Sequence, residues 1–140
     1  MGKIEFLQLM GIPTEPVVYK TSEIVKEAKA LQKEYPEAKY KFSKTSHENS
    51  VVVGCDYFRG GVSKGPKTRG CLVGQAISRA YPSLRQEINS NGDTGSTISE
   101  IITEYDICGS KRDQEYLEKI QFNQDSGVEW GKCSKKQPLE

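Results

Sequence analysis

Proline and glycine cut this chain into pieces too short for anything but small, separately capped elements. Pro13 and Pro16 fix φ and remove N–H donors, which forbids a helix through residues 11–17. Residues 1–20 are therefore expected to form an extended segment, with Phe6, Leu7 and Val17 packed on the body. Pro36 stops a first helix that Thr21 or Ser22 caps and whose Ile24, Ala28, Leu31 and Tyr35 share one face. A second helix carries Leu72, Val73, Ala76, Ile77 and Ala80 and ends before Pro82. A short third helix from Ser83 to Asn89 places Leu84 and Ile88 four apart, and Asn91-Gly92 turns the chain after it. Thr97 with Glu100 forms a capping box ahead of Ile98, Ile101, Ile102 and Tyr105. Ser110 caps a last long helix, whose stripe is Tyr116, Leu117 and Ile120 and whose stop is Gly127. Trp130 and Cys133 fall in a final turn, the tryptophan closing the core.

Strand signals are confined to one region. Tyr40 and Phe42 alternate with lysines, and Val51 to Phe58 is β-branched and aromatic, with Gly54 at a bulge position. The two segments read as an antiparallel hairpin over 40–58, which is marginal alone and must lie on helices. The predicted fold is mainly α with a small antiparallel β-hairpin, α+β, in a single compact domain over 21–134. A flexible tail over 135–140 ends in a Leu-Glu pair of the kind left by an expression vector. A chain of 140 residues suits one domain and buries enough surface to fold without staples. No apolar run approaches the roughly 18 residues of a membrane span. Glu5 interrupts the short apolar stretch at the N-terminus, no small-residue cleavage site follows it, and Phe6 stands where myristoylation needs Ser or Thr. A cytoplasmic protein with no membrane association is the expectation.

The formal net charge of +1 conceals a sharp segregation. From Tyr57 to Gln86 there are six cations (Arg59, Lys64, Lys67, Arg69, Arg79 and Arg85) and no acid. From Glu87 to Glu118 there are eight acids against Lys111 and Arg112. Such asymmetry points to charged partners or to blocks that pair with each other, within one chain or between two. The glycine-rich stretch from Arg59 to Gly70 is the candidate anion or nucleic-acid site. Arg59, Lys64, Lys67 and Arg69 supply charge, free amides lead into a helix N-terminus, and Tyr57 and Phe58 offer stacking surface. A solvated surface loop, its cations meeting the later acids, is the plainer reading. The segment is not a P-loop. Gly60 and Gly65 have the right separation, but Pro66 removes an amide and displaces Lys67 and Thr68. No cofactor is expected.

Nucleophile and metal chemistry find little support. The four cysteines, Cys55, Cys71, Cys108 and Cys133, are widely spaced without a C-x-x-C pair, and His47 is the one histidine, so no metal site is expected. Buried free thiols fit the absence of an export signal, with a disulfide such as Cys55–Cys71 as the alternative. Cys71, at a helix start near Arg69, is the weak catalytic candidate, with His47 as its base. The C-x5-R loop of cysteine phosphatases is absent, because Ile77 stands in the arginine position. Glu100 and Glu104 neighbour each other on one helix face without the other ligands of a di-metal or calcium site.

Two short stretches, Gly70-Cys71-Leu72-Val73-Gly74-Gln75-Ala76 and the run from Gln121 to Gly131 containing Asp125-Ser126-Gly127 and Trp130, resemble a group of small uncharacterised bacterial proteins, notably actinobacterial, and their phage relatives. The resemblance spans Tyr40 to Cys133 and implies a compact helical domain without an assigned activity. The lysine-rich composition departs from that pattern. Three readings follow. The preferred one is a non-catalytic binding or accessory protein that meets nucleic acid or an acidic protein through its basic loop. The others are a cysteine-dependent enzyme using Cys71 and an oligomerising protein with paired charge blocks.

Overall fold

The computed structural model describes residues 17–41 and 56–135. Helix α1 spans Thr21–Glu34, strands β1 (Lys39–Tyr40) and β2 (Val62–Ser63) follow, and then come α2 (Leu72–Ala80) and α3 (Pro82–Ser90). Helices α4 (Ile98–Glu104) and α5 (Lys111–Asp125) precede a 3-10 turn over Trp130–Lys132. The fold is thus mainly helical with one two-stranded antiparallel hairpin, as the sequence predicts.

The core gathers the apolar stripes in the expected way. Ile24, Ala28 and Leu31 of α1 meet Leu72, Val73, Ala76 and Ile77 of α2, the most extensive helix pair of the fold. Leu84, Ile88, Ile98, Ile101, Leu117, Ile120 and Trp130 complete it, all essentially without solvent contact. Tyr35, Ile102, Tyr105 and Tyr116 are only partly covered and pack at its margin. The approach of the chain at Tyr57 to α2 depends on Gly74. A Cβ there would fall inside the contact distance of the Tyr57 carbonyl and its backbone, so only hydrogen lets the Tyr57 strand of chain lie against α2.

The expected caps are mostly realised. The Thr97 hydroxyl accepts from the Glu100 N–H at 3.2 Å while Glu100 Oε1 accepts from the Thr97 N–H at 3.2 Å, closing both halves of the box. Ser110 Oγ accepts from Asp113 at the start of α5, Pro82 begins α3, and Gly127 turns the chain at φ +89°. The start of α1 differs from expectation. Its N-cap is Lys20, which makes no side-chain cap bond, and Thr21 instead directs its N–H and hydroxyl to the Cys108 carbonyl at 2.8 and 3.4 Å. A tertiary acceptor therefore replaces a local cap, tying the start of α1 to the chain after α4.

The hairpin needs correction. Lys39 pairs with Ser63 and Tyr40 with Val62, so the partner of the first strand is four or more residues beyond the predicted 51–58. Residues 42–55 lie outside the described part. Asp56, Tyr57 and Phe58 are not strand: Asp56 Oδ1 accepts the N–H groups of Phe58 and Arg59, both at 3.1 Å, and bends the chain there. β-branched and aromatic content marks burial as well as strands. Here it marks burial, with Tyr57 fully and Phe58 almost fully enclosed. Val17, expected to pack, is 63 % exposed, because the lead-in is anchored by its tyrosine instead. The rings of Tyr19 and Tyr81 meet edge to face at 5.0 Å.

Replacing Gly74 by alanine should destabilise the protein by about 3 kcal/mol or more, since backbone rather than a flexible side chain blocks the new methyl. Thermal melting should show a loss on the order of 10 °C. Gly95→Ala, where nothing stands within 4 Å of the added carbon, is the neutral control.

Candidate functional site

Four segments converge on a basic cleft of about 580 Å³. The loop after Pro66 contributes Lys67, Thr68 and Arg69. One face of α2 contributes Gln75, Ser78 and Arg79, at the i, i+3, i+4 spacing that aligns helix neighbours. Arg85 reaches in from α3, and Tyr35 at the end of α1 forms the aromatic wall. Among the described residues no acid lines the cleft, although Glu34 meets Arg79 at its edge.

Gln75 holds the loop in place. Its side chain is buried, and Nε2 donates to the carbonyls of Thr68 (3.0 Å) and Gly70 (3.1 Å) while Oε1 accepts from the Thr68 hydroxyl at 2.6 Å. Gly70, at φ +117°, closes the loop from the other side by donating to the Gly60 carbonyl at 3.0 Å. Its missing Cβ is required twice over, by that φ and by the Tyr57 carbonyl beside it. The Tyr40 hydroxyl, from β1, donates to the Arg59 carbonyl at 2.9 Å and accepts from the Asp56 N–H at 3.2 Å. Among the described residues, the backbone N–H groups of Lys67, Thr68 and Arg69 donate no hydrogen bond within the protein. Three successive free amides thus lie beside four cationic side chains.

The helix N-terminus that the sequence offers as an anion site is already occupied. The Leu72 N–H donates to Gln124 Oε1 at 2.7 Å, and the Gly74 N–H to Cys71 Sγ at 3.4 Å. The start of α2 therefore has no free Leu72 or Gly74 amide to offer an anion.

Of the predicted binding residues, Lys67 and Arg69 reach the cleft and the others do not. Lys64 turns away at φ +55° and pairs with Glu37 at 3.8 Å, in an exposed contact of little energetic weight. Arg59 is exposed elsewhere on the surface. Tyr57 and Phe58 are core residues, so neither ring offers a stacking face for a base. The Tyr57 hydroxyl accepts from Gln121 Nε2 at 3.0 Å, and the Arg85 guanidinium covers the Phe58 ring at 5.3 Å from its centroid. Arg79 and Arg85 were legible as members of the same acid-free block. Their place at the cleft follows from the α2 and α3 faces, which the loop-centred reading passes over.

Within the chain, and among the described residues, the cation block forms no ion pair with the acids that follow it. Among the described residues, the ion pairs of the basic block run to α1 and the turn after it, Arg79 to Glu34 at 2.9 Å and Lys64 to Glu37. Glu100 serves the capping box, and Asp93 accepts from the Tyr105 hydroxyl at 2.8 Å. The solvated-loop reading, with cations neutralised by Glu100 or Glu104, is likewise not what the ion pairs describe. The Asp125 carboxyl is pushed up to about 6 by burial, with Gln124 donating to it at 2.8 Å.

The cysteines correct the expected chemistry. Cys71 is fully buried and disulfide-bonded, so in this state it has no thiol to serve as a nucleophile. His47 and Cys55 lie outside the described residues. Cys108 is a free, exposed thiol and not a buried one. Cys133 is free and buried as expected, its thiol pushed up to about 12 by desolvation first and then by the charge of Asp125. Among the described residues, no group of three or more His, Cys, Asp or Glu side chains is arranged to hold a metal ion. No helix of the described residues is long and apolar enough to cross a membrane.

No family model, curated protein or solved structure matches this chain.

Of the three cysteines in the described residues, alkylation at neutral pH should label Cys108 in the native protein, Cys133 only after denaturation, and Cys71 only after reduction. Mass mapping of the labelled peptides reads all three. Rapid native labelling of Cys71 would restore the nucleophile reading.

Proposed function

We propose that this is a non-catalytic binding protein that recognises phosphate groups on its ligand through the cleft between the 67–69 loop, α2 and α3. The observation that carries the reading is the convergence of Lys67, Arg69, Arg79 and Arg85 on one concave, acid-free surface. A cleft of about 580 Å³ is the size that encloses a small ligand or one unit of a larger one. Guanidinium groups match the oxygens of phosphate in paired hydrogen bonds, and free loop amides add donors without charge. Arg79 shares its guanidinium with Glu34, which supports its orientation and lowers the net charge offered. Lys67 and Arg69 have no ion-pair partner among the described residues and carry the larger share of the attraction.

This reading narrows the expected partners. A nucleic acid supplies phosphates and fits, but it meets them here in a pocket and not along a stripe with base stacking on Tyr57 and Phe58. An acidic protein offers carboxylates, which use fewer of the donors. The disulfide at Cys71 supports work in an oxidising environment over the cytoplasm.

Fluorescence anisotropy with a labelled single-stranded oligonucleotide tests the reading. Affinity should fall with salt along a log–log slope of about −2 to −3, as three or four contacts on a single strand predict. Lys67→Ala and Arg69→Ala should each reduce the magnitude of that slope by about 0.7, whereas Arg59→Ala should leave it unchanged. Binding that depends on Arg59 and is indifferent to Lys67 and Arg69 would place the contact elsewhere.

A further inference from the structure

The donors in the cleft outnumber what a backbone phosphate can use. A diester phosphate presents two non-bridging oxygens and one charge, and its chain must leave in two directions. The cleft offers the Lys67 ammonium and the Arg69 and Arg85 guanidinium groups, with part of the Arg79 group beyond its bond to Glu34. The backbone N–H groups of Lys67, Thr68 and Arg69, three residues of its lining, have no partner among the described residues. A monoester phosphate presents three terminal oxygens and a charge near −2, and only one bond leads away from it. Among the described residues, Tyr35 at the end of α1 is the one aromatic side chain lining the cleft. An aromatic next to a phosphate subsite suits a ligand whose phosphate is attached to a nucleoside, because every base has a face on which a ring stacks.

From this donor set we infer that the cleft selects a terminal phosphate, a monoester carried by a nucleotide or by the end of a nucleic-acid strand, over an internal diester. The inference rests on the phosphate-binding reading above and adds the class of phosphate. The Thr68 and Ser78 hydroxyls do not extend the donor set. Both are committed within the protein, to Gln75 Oε1 at 2.6 Å and to the Gly74 carbonyl at 2.9 Å. Specificity for the extra charge therefore falls on the side chains of Lys67 and Arg69, with their amides.

The test compares two oligonucleotides of one sequence, with a 5′-phosphate and with a 5′-hydroxyl, against the full-length oxidised protein. A nucleoside monophosphate, the matching nucleoside and inorganic phosphate are titrated alongside. The phosphorylated strand should bind at least about tenfold more tightly than the hydroxyl strand, the equivalent of one charge-assisted hydrogen bond. That advantage should disappear in Arg69→Ala. A nucleoside monophosphate that binds as well as the phosphorylated strand identifies a free small molecule as the source. A monophosphate that binds weakly beside a tight phosphorylated strand identifies the strand end. Equal affinity for the two strands overturns the inference while leaving phosphate recognition standing. Failure of every phosphate-bearing probe overturns both.

Discussion

Contact between the Gly74 backbone and the Tyr57 carbonyl is the constraint on which the rest of the fold turns. Because no side chain separates them, the chain at Tyr57 lies directly against α2, and Tyr57 occupies the core alongside Leu72 and Ile77. The segment that follows must then double back across the same helix. Gly70 closes that excursion by a bond to Gly60, again against the Tyr57 carbonyl, and Gln75 fastens its interior. The 67–69 stretch is thereby laid along the face of α2 that carries Ser78 and Arg79. The cleft is a by-product of the packing. A loop of this composition in solution would scatter its cations, and here a buried glutamine gathers them.

The electrostatic design has the same origin. Bringing cations together is unfavourable unless something offsets their repulsion, and each arginine of the helices has a modest local offset. Arg79 has Glu34 on the neighbouring helix, and Arg85 has the face of Phe58. Both contacts are partly solvated, so they hold orientation more than they add stability. Lys67 and Arg69 have no such partners among the described residues. They remain without a counter-charge, as the proposed phosphate reading requires.

Much of the helical framework was legible because its signals are local. Thr97 with Glu100, Ser110, Pro82 and Gly127 each act within a few residues, and each appears where the spacing put it. What escaped was set by distant partners. Thr21 gives up a cap to reach Cys108, and Lys39 and Tyr40 pair with a strand beyond the apolar run chosen for them. Tyr57 and Phe58 looked like a strand end and a stacking surface, since aromatic content does not say which neighbour will cover it. For the site, the acid-free block announced where cations would concentrate. Which of them share a cleft depended on the turn at Lys64, the faces of α2 and α3, and the two carbonyls that Gln75 holds. The buried, oxidised state of Cys71 also had no sequence signature beyond the pair of cysteines flanking the segment.

The central claim is that Gln75 and Gly70 shape the 67–69 loop into a preformed phosphate receptor. Backbone amide NMR during titration with inorganic phosphate tests it most directly. The account predicts saturable shifts concentrated at the N–H groups of Lys67, Thr68 and Arg69, and their loss in Gln75→Ala with the remaining spectrum preserved. Shifts centred on Leu72 to Gly74 or on Arg59, or none at all at millimolar phosphate and low salt, would contradict it.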